Sequence, residues 1–188
     1  NLKECHELYC AGHMIEAGVA HYRATGKRKL LDIVCRFADH IDTIFGPEAG
    51  KKRGYPGHQE IELALFKLYE VTNEEKYLNL AKYFIDERGT EPYYFDIERE
   101  ERGLTEHFNG MRGLGRQYAQ AHLPVRDQTT AEGHSVRATY MYAAMADIAL
   151  ETGDRELLKA CKTLWDNIVT KRMYITGGIG SMAYGEAF

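Results

Sequence analysis

The sequence predicts an all-α protein built from repeated helical hairpins. Three observations carry that expectation. Only 4 Pro among 188 residues leave few helix breakers. Apolar residues recur at helical rather than alternating spacing. A Thr-centred turn returns three times, with similar residues at the same offset after it.

Leu8, Ala11, Ile15, Ala17, Val19 and Tyr22 follow the helical period, and Thr25-Gly26 ends the run. A second helix over Lys29 to Phe45 begins after so short a turn that it packs antiparallel on the first. Ile61 to Val71 and Glu75 to Ile85 repeat the scheme around Thr72-Asn73. Ser135 to Glu151 repeats it again, with a turn at Thr152-Gly153-Asp154 and a return helix through Leu157, Leu158, Cys161, Leu164 and Trp165. Leu30-Leu31, Tyr77-Leu78 and Leu157-Leu158 stand at one offset after Thr25, Thr72 and Thr152. The turns are 47 and 80 residues apart. The wider gap has room for a further irregular pair, with Tyr118 to His122 in a helix and Pro92 and Pro124 breaking its flanks. A repeat of roughly 40–50 residues suits an α-solenoid or a closed toroid of hairpins.

The charge, 24 basic against 28 acidic residues, gives −4 and offers nothing to nucleic acid or an anionic membrane. There is no 18-residue apolar run, no signal-like segment and no CxxC among Cys5, Cys10, Cys35 and Cys161, so the expectation is a cytoplasmic protein with reduced thiols. The 13 Tyr and 8 His suggest a polar cavity lined by rings with hydrogen-bonding ends.

The histidines are patterned. Gly12-His13, Gly57-His58 and Gly133-His134 each place a Gly-His pair in the first helix of a hairpin, the last two at its start. If those helices line the inside of a ring, His58 and His134 share one rim, where imidazoles and helix N-terminal amides meet a polar ligand. His6, Cys10 and His13 share a helix face of zinc-ligand type, but no fourth ligand is nearby and the segment misses the HExxH pattern by one residue, so a pocket wall is the better reading. Met173 to Ser181 reads as a short extended segment entering a glycine-rich loop. It lacks P-loop and GxGxxG spacing, and fits a rim loop that delivers Glu186 to the pocket. Glu60 and Glu62 flank Ile61 and point apart on a helix, one toward the cavity and the other toward a neighbouring helix. Asp96 to Arg102 reads as solvated.

Several of these motifs, taken in order, resemble one family. They are Cys5-His6-Glu7-Leu8-Tyr9 with Ala11-Gly12-His13, Gly54 to Leu65, Gly133 to Ala138, Tyr174 to Ser181, and Gly185-Glu186-Ala187-Phe188. Together they resemble glycoside hydrolase family 127, the β-L-arabinofuranosidase-like family, over essentially the whole chain. The resemblance implies an (α/α)6 toroid of six hairpins followed by β-sandwich domains, of which residues 1–188 would be a part, about three to four hairpins. It implies a retaining, exo-acting glycosidase that releases terminal L-arabinofuranose from an oligosaccharide or glycoconjugate. In that family a glutamate is the general acid/base and a zinc-bound cysteine the nucleophile. Glu186 matches the acid/base, whose task calls for a carboxyl of raised pKa. His58, His134 and either His6 or His13 match histidines that bind sugar hydroxyls, and Tyr9 and Tyr55 are candidate walls for the ring. None of the four cysteines falls in the family's zinc motifs, so no metal ligand is assigned here; zinc is expected of the full-length enzyme, and a chain ending at Phe188 is expected to turn over little. Broken toroid edges would favour homo-oligomers. A sugar epimerase-like toroid and a non-catalytic helical-repeat module are the alternatives.

Overall fold

A computed structural model describes residues 1–103 and 113–188. Its helices are α1 (Glu7–Thr25), α2 (Lys29–Ile44), α3 (Ile61–Thr72), α4 (Glu75–Glu87), α5 (Tyr94–Glu101), α6 (Ser135–Thr152) and α7 (Arg155–Lys171). Among the described residues there is no β-strand, only isolated bridges.

The repeated Thr has a repeated task. Thr25, Thr72 and Thr152 each turn the hydroxyl back onto the carbonyl four residues earlier, on His21, Leu68 and Ile148, at 2.7 Å in every case. The residue that follows, Gly26, Asn73 or Gly153, takes the left-handed conformation and returns its N–H to the last turn of the helix. Such a cap satisfies carbonyls that a helix end leaves free and reverses the chain at once. Asp154 then opens α7 by accepting the Leu157 N–H at 2.9 Å.

Hairpins α1–α2, α3–α4 and α6–α7 form two layers. The first helices stand side by side, α1 against α3 and α3 against α6, and each return helix packs on its own partner. The core between them contains Ile15, Leu31, Ile61, Leu65, Leu68, Phe84, Met141 and Leu157, all fully buried. Each such side chain contributes about 1.5–3 kcal/mol on removal from water.

The gap between the second and third hairpins departs from expectation. Tyr118 to His122 is not an α-helix: Tyr118 and Ala119 close a 3-10 helix, Arg116–Ala119, that ends at Gln120, whose φ is 52°. Side-chain amides organise this stretch instead. Gln120 Nε2 donates to the carbonyls of Glu132 and His134, and Gln128 Nε2 donates to those of Gln120 and Leu123. Any further helix of an irregular pair would also involve residues 104–112, which lie outside the described residues. Asp96 to Arg102 is only partly solvated. It lies largely on α5, where buried Glu98 accepts the Leu2 and Lys3 N–H groups and so fastens the N-terminal segment. Met173 to Ser181 is a tight turn rather than an extended segment, closed by Tyr174 N–H to the Gly178 carbonyl at 2.9 Å.

Candidate active site

The first helices bring their polar ends together. His6 immediately precedes α1, Tyr9 and His13 follow on the same face, His58 sits just before α3, and His134 is the N-cap of α6. Their rings form a continuous row. Tyr9 lies 4.4 Å from both His13 and His58, His6 lies 5.6 Å from His58, and His58 lies 5.6 Å from His134, centroid to centroid. At the end of the row the Glu186 carboxylate is 2.8 Å from His134 Nε2.

Two glycines set these positions. Gly57 runs against the N-terminal segment, donating to the Leu2 carbonyl at 2.7 Å, and a Cβ there would stand 2.1 Å from the Lys3 carbonyl oxygen. Gly133, at φ 71°, would place a Cβ 1.9 Å from the Gln117 carbonyl oxygen. Each glycine lets two backbones touch, and the histidine after it is carried to the cleft. The loop bearing Glu186 is pinned on both sides. Ser135 Oγ donates to the Glu186 carbonyl, Phe188 N–H donates to the Gly133 carbonyl, and the Phe188 ring is buried beside Ala131, Ala138 and Ile168.

The local bonds define complementary imidazoles. His134 Nδ1 accepts the Arg137 backbone N–H, so in the neutral ring Nε2 bears the proton and donates to Glu186. His58 Nδ1 is 2.7 Å from the Gln59 carbonyl, which can only accept, so Nδ1 bears the proton and Nε2 is left as an acceptor. Burial pushes the His58 pKa down to about 3, with the Arg137, His134 and His6 charges acting in the same direction against the Gln59 bond. His134 is lowered by burial and by Arg137, opposed by Glu186. His6 is lowered by burial and by Arg137.

Glu60 and Glu62 do point apart. Glu62 pairs with Arg88 at 3.1 Å, and Glu60 lies fully buried beneath Gly12 with an oxygen 3.2 Å from His13 Nδ1. Burial and the neighbouring Glu16 raise the Glu60 pKa well above the usual carboxylate range, while Glu16, beside Glu60 and paired with Lys67, is lowered. The two carboxyls share one proton. A carboxyl that is protonated when folded and ionised at 4.5 when unfolded stabilises fully below pH 4.5, and that contribution is lost as pH rises toward its folded pKa. His58 acts in another window: its contribution is complete above pH 6.5 and is lost as pH falls toward 3. Thermal melts between pH 7 and 9 therefore isolate Glu60. The wild type is expected to lose stability across that range relative to Glu60→Gln, which imitates the protonated acid; parallel curves would contradict the shared proton.

His13, Glu16 and Glu60 are also a three-donor group with ligand atoms within 4.8 Å of one another. Its donors suit a hard cation, but Lys67 and the shared proton already offset its charge. A cysteine-ligated zinc does not fit the described residues. That group is the one cluster of three or more such donors among the described residues, and it contains no thiol.

Of the residues expected from sequence, His6, Tyr9, His13, His58, His134 and Glu186 come together. Tyr55 does not. It is fully buried behind the cleft, 4.9 Å from the Phe95 ring and 4.8 Å from the Arg88 guanidinium, so it cannot line a sugar site. Tyr140 faces the row instead, 6.0 Å from His58 and 6.2 Å from Tyr9. Its signal was its place on a first helix three residues after Arg137, on the adjoining strip of α6. Arg137 was also missed, since a buried arginine reads in sequence as an ordinary surface charge.

Stacked hairpins whose first helices gather imidazoles and tyrosines at one end, with the Glu186 carboxylate brought beside them by the C-terminal loop, define an all-α domain with a polar candidate site. The chain matches the family described as "Beta-L-arabinofuranosidase, GH127 catalytic domain" over residues 2–188, and it belongs to that family. It is 44% identical over 187 residues to the non-reducing end β-L-arabinofuranosidase of Bifidobacterium longum subsp. longum, covering 100% of this chain and 28% of that protein. It superposes on a crystal structure of a GH127 β-L-arabinofuranosidase from Geobacillus stearothermophilus T6 with a TM-score of 0.96 and 61% identity, covering all of this chain and 29% of that one. A second GH127 β-arabinofuranosidase structure gives 0.84 and 46%, covering all of this chain and 26% of that one. The chain thus spans little more than a quarter of the length of these relatives.

Proposed function

We propose that the cleft is the part of a glycoside hydrolase that receives a terminal L-arabinofuranose of an arabinose-containing glycan, with Glu186 as general acid/base. The observation that carries this is the Glu186 carboxylate held 2.8 Å from His134 Nε2 at the end of the histidine row. In this reading Glu186 first gives a proton to the glycosidic oxygen and then takes one from the attacking water. His134, fixed as an Nε2–H donor, holds one oxygen of the Glu186 carboxyl and leaves the other, protonated for the first step, to face the leaving group. His58 Nε2 accepts from a sugar hydroxyl. Tyr9 offers an apolar wall, and His6 and His13 extend the polar rim. The side chain of Glu186 is 73% exposed, and a seated sugar covers it. No residue of this chain is assigned as the nucleophile.

The test is product analysis with a protein that carries the full length the relatives span. Release of L-arabinose from a β-L-arabinofuranoside, strongly reduced by Glu186→Gln, supports the reading. Conversion of free arabinose to an epimer with the glycoside left intact would replace it with the epimerase alternative.

A further inference from the structure

Arg137 stands in the first turn of α6, 3% exposed, and no carboxylate among the described residues lies within ion-pair distance of it. Its Nη1 donates to the Gly57 carbonyl at 2.5 Å, one residue before His58. Its Nη2 reaches Tyr118 Oη at 3.4 Å, and the guanidinium lies 4.4 Å from the centre of the Tyr118 ring, whose edge meets His134 at 5.5 Å. Nε finds no acceptor among the described residues. A buried cation with no ion pair among the described residues and only the longer-range pull of Glu186 is costly, and its usual explanation is a task.

We propose that Arg137 is a positioning residue of the site: it holds the His58 loop through the Gly57 carbonyl and places a fixed positive charge behind the imidazoles, which adds to their burial in letting His6, His58 and His134 meet the sugar uncharged. The proposal rests on the glycosidase reading of this cleft and deepens it. A protonated imidazole has two donors and no acceptor, so a charged His58 would lose the Nε2 lone pair that takes a hydroxyl proton. Burial lowers Arg137 to about 10, which leaves it cationic at neutral pH. The charges facing the histidines are few. Glu7 on α1 opposes the effect at His6, and Glu186 on the C-terminal loop opposes it at His134. At His58 the charges that act among the described residues are those of Arg137, His134 and His6. Arg88, at the end of α4, adds to the positive field at Arg137 itself.

The test is histidine C2–H exchange followed by mass spectrometry across pH 3 to 9, on the full-length protein. It reads each imidazole separately and needs no turnover. In the wild type the midpoints of His58 and His134 should fall below 6.5. Arg137→Gln should raise them, on the order of one pH unit. Arg137→Lys, which keeps the charge, should leave them near their wild-type values. Unchanged midpoints in Arg137→Gln, or raised midpoints in Arg137→Lys, would reduce Arg137 to a packing role. Should Arg137→Gln not fold, wild-type midpoints at or above 6.5 overturn the proposal on their own. A wild type that does not hydrolyse arabinofuranosides would sink the glycosidase reading, whereas unmoved midpoints in an active enzyme would sink only this inference.

Discussion

Glu186→Gln in the full-length protein is expected to lower kcat/KM for a β-L-arabinofuranoside by about 10²–10⁴-fold, the usual contribution of a positioned acid/base. The amide keeps the size and accepts the His134 Nε2–H, but it carries no transferable proton. The loss should be largest for alkyl or sugar leaving groups, which depend on protonation, and smaller for nitrophenyl ones. Folding should be nearly untouched. The side chain is 73% exposed, and substitutions at such positions stay within about 0.5 kcal/mol. Steady-state kinetics paired with a thermal melt separate the two effects. A variant as active as the wild type would remove Glu186 from the chemistry.

The largest stability effect is expected at Arg88. Its guanidinium is wholly buried, donates to the Ala119 carbonyl at 2.9 Å and the Pro56 carbonyl at 2.8 Å, pairs with Glu62 at 3.1 Å and covers the Tyr55 ring. One side chain thereby joins the end of α4, the loop leading to His58 and the 3-10 turn at Ala119. Arg88→Ala leaves Glu62 buried without its cation and the Pro56 carbonyl without its donor, while the Ala119 carbonyl keeps only that of Gln59 Nε2, at a cost of about 3–5 kcal/mol. A domain stable by about 5–15 kcal/mol keeps little margin after that. Denaturant melts measure the loss directly. The double variant Arg88→Met with Glu62→Leu should regain much of it, because no charge is then left buried alone. A loss below about 1 kcal/mol in Arg88→Ala would show that the pair contributes little.

The hairpins were legible because their signals are local. Thr25, Thr72 and Thr152 act within one turn of helix, and the apolar period lies in the residues themselves. Gly57-His58 and Gly133-His134 were legible for a related reason: a glycine that admits a neighbouring backbone leaves a visible pair, although the backbone it admits is far away in sequence. Contacts across the fold left no such trace. Nothing near Tyr55 announces that Arg88 and Phe95 close over it, and nothing near Tyr140 announces that it faces His58. Arg88 and Arg137 read as surface charges until the carbonyls they serve are placed. The stretch from Arg116 to Gln128 is ordered by the amides of Gln120 and Gln128, whose partners no periodicity predicts.

The central claim is that the row from His6 to Glu186 seats a terminal arabinofuranose with its glycosidic oxygen at residue 186. A crystal structure of the full-length Glu186→Gln protein soaked with a β-L-arabinofuranoside tests it most directly. The account predicts a sugar hydroxyl on His58 Nε2 and the glycosidic oxygen about 3 Å from the side chain of residue 186. A sugar bound away from the histidine row, or with its glycosidic oxygen turned away from that side chain, would contradict it.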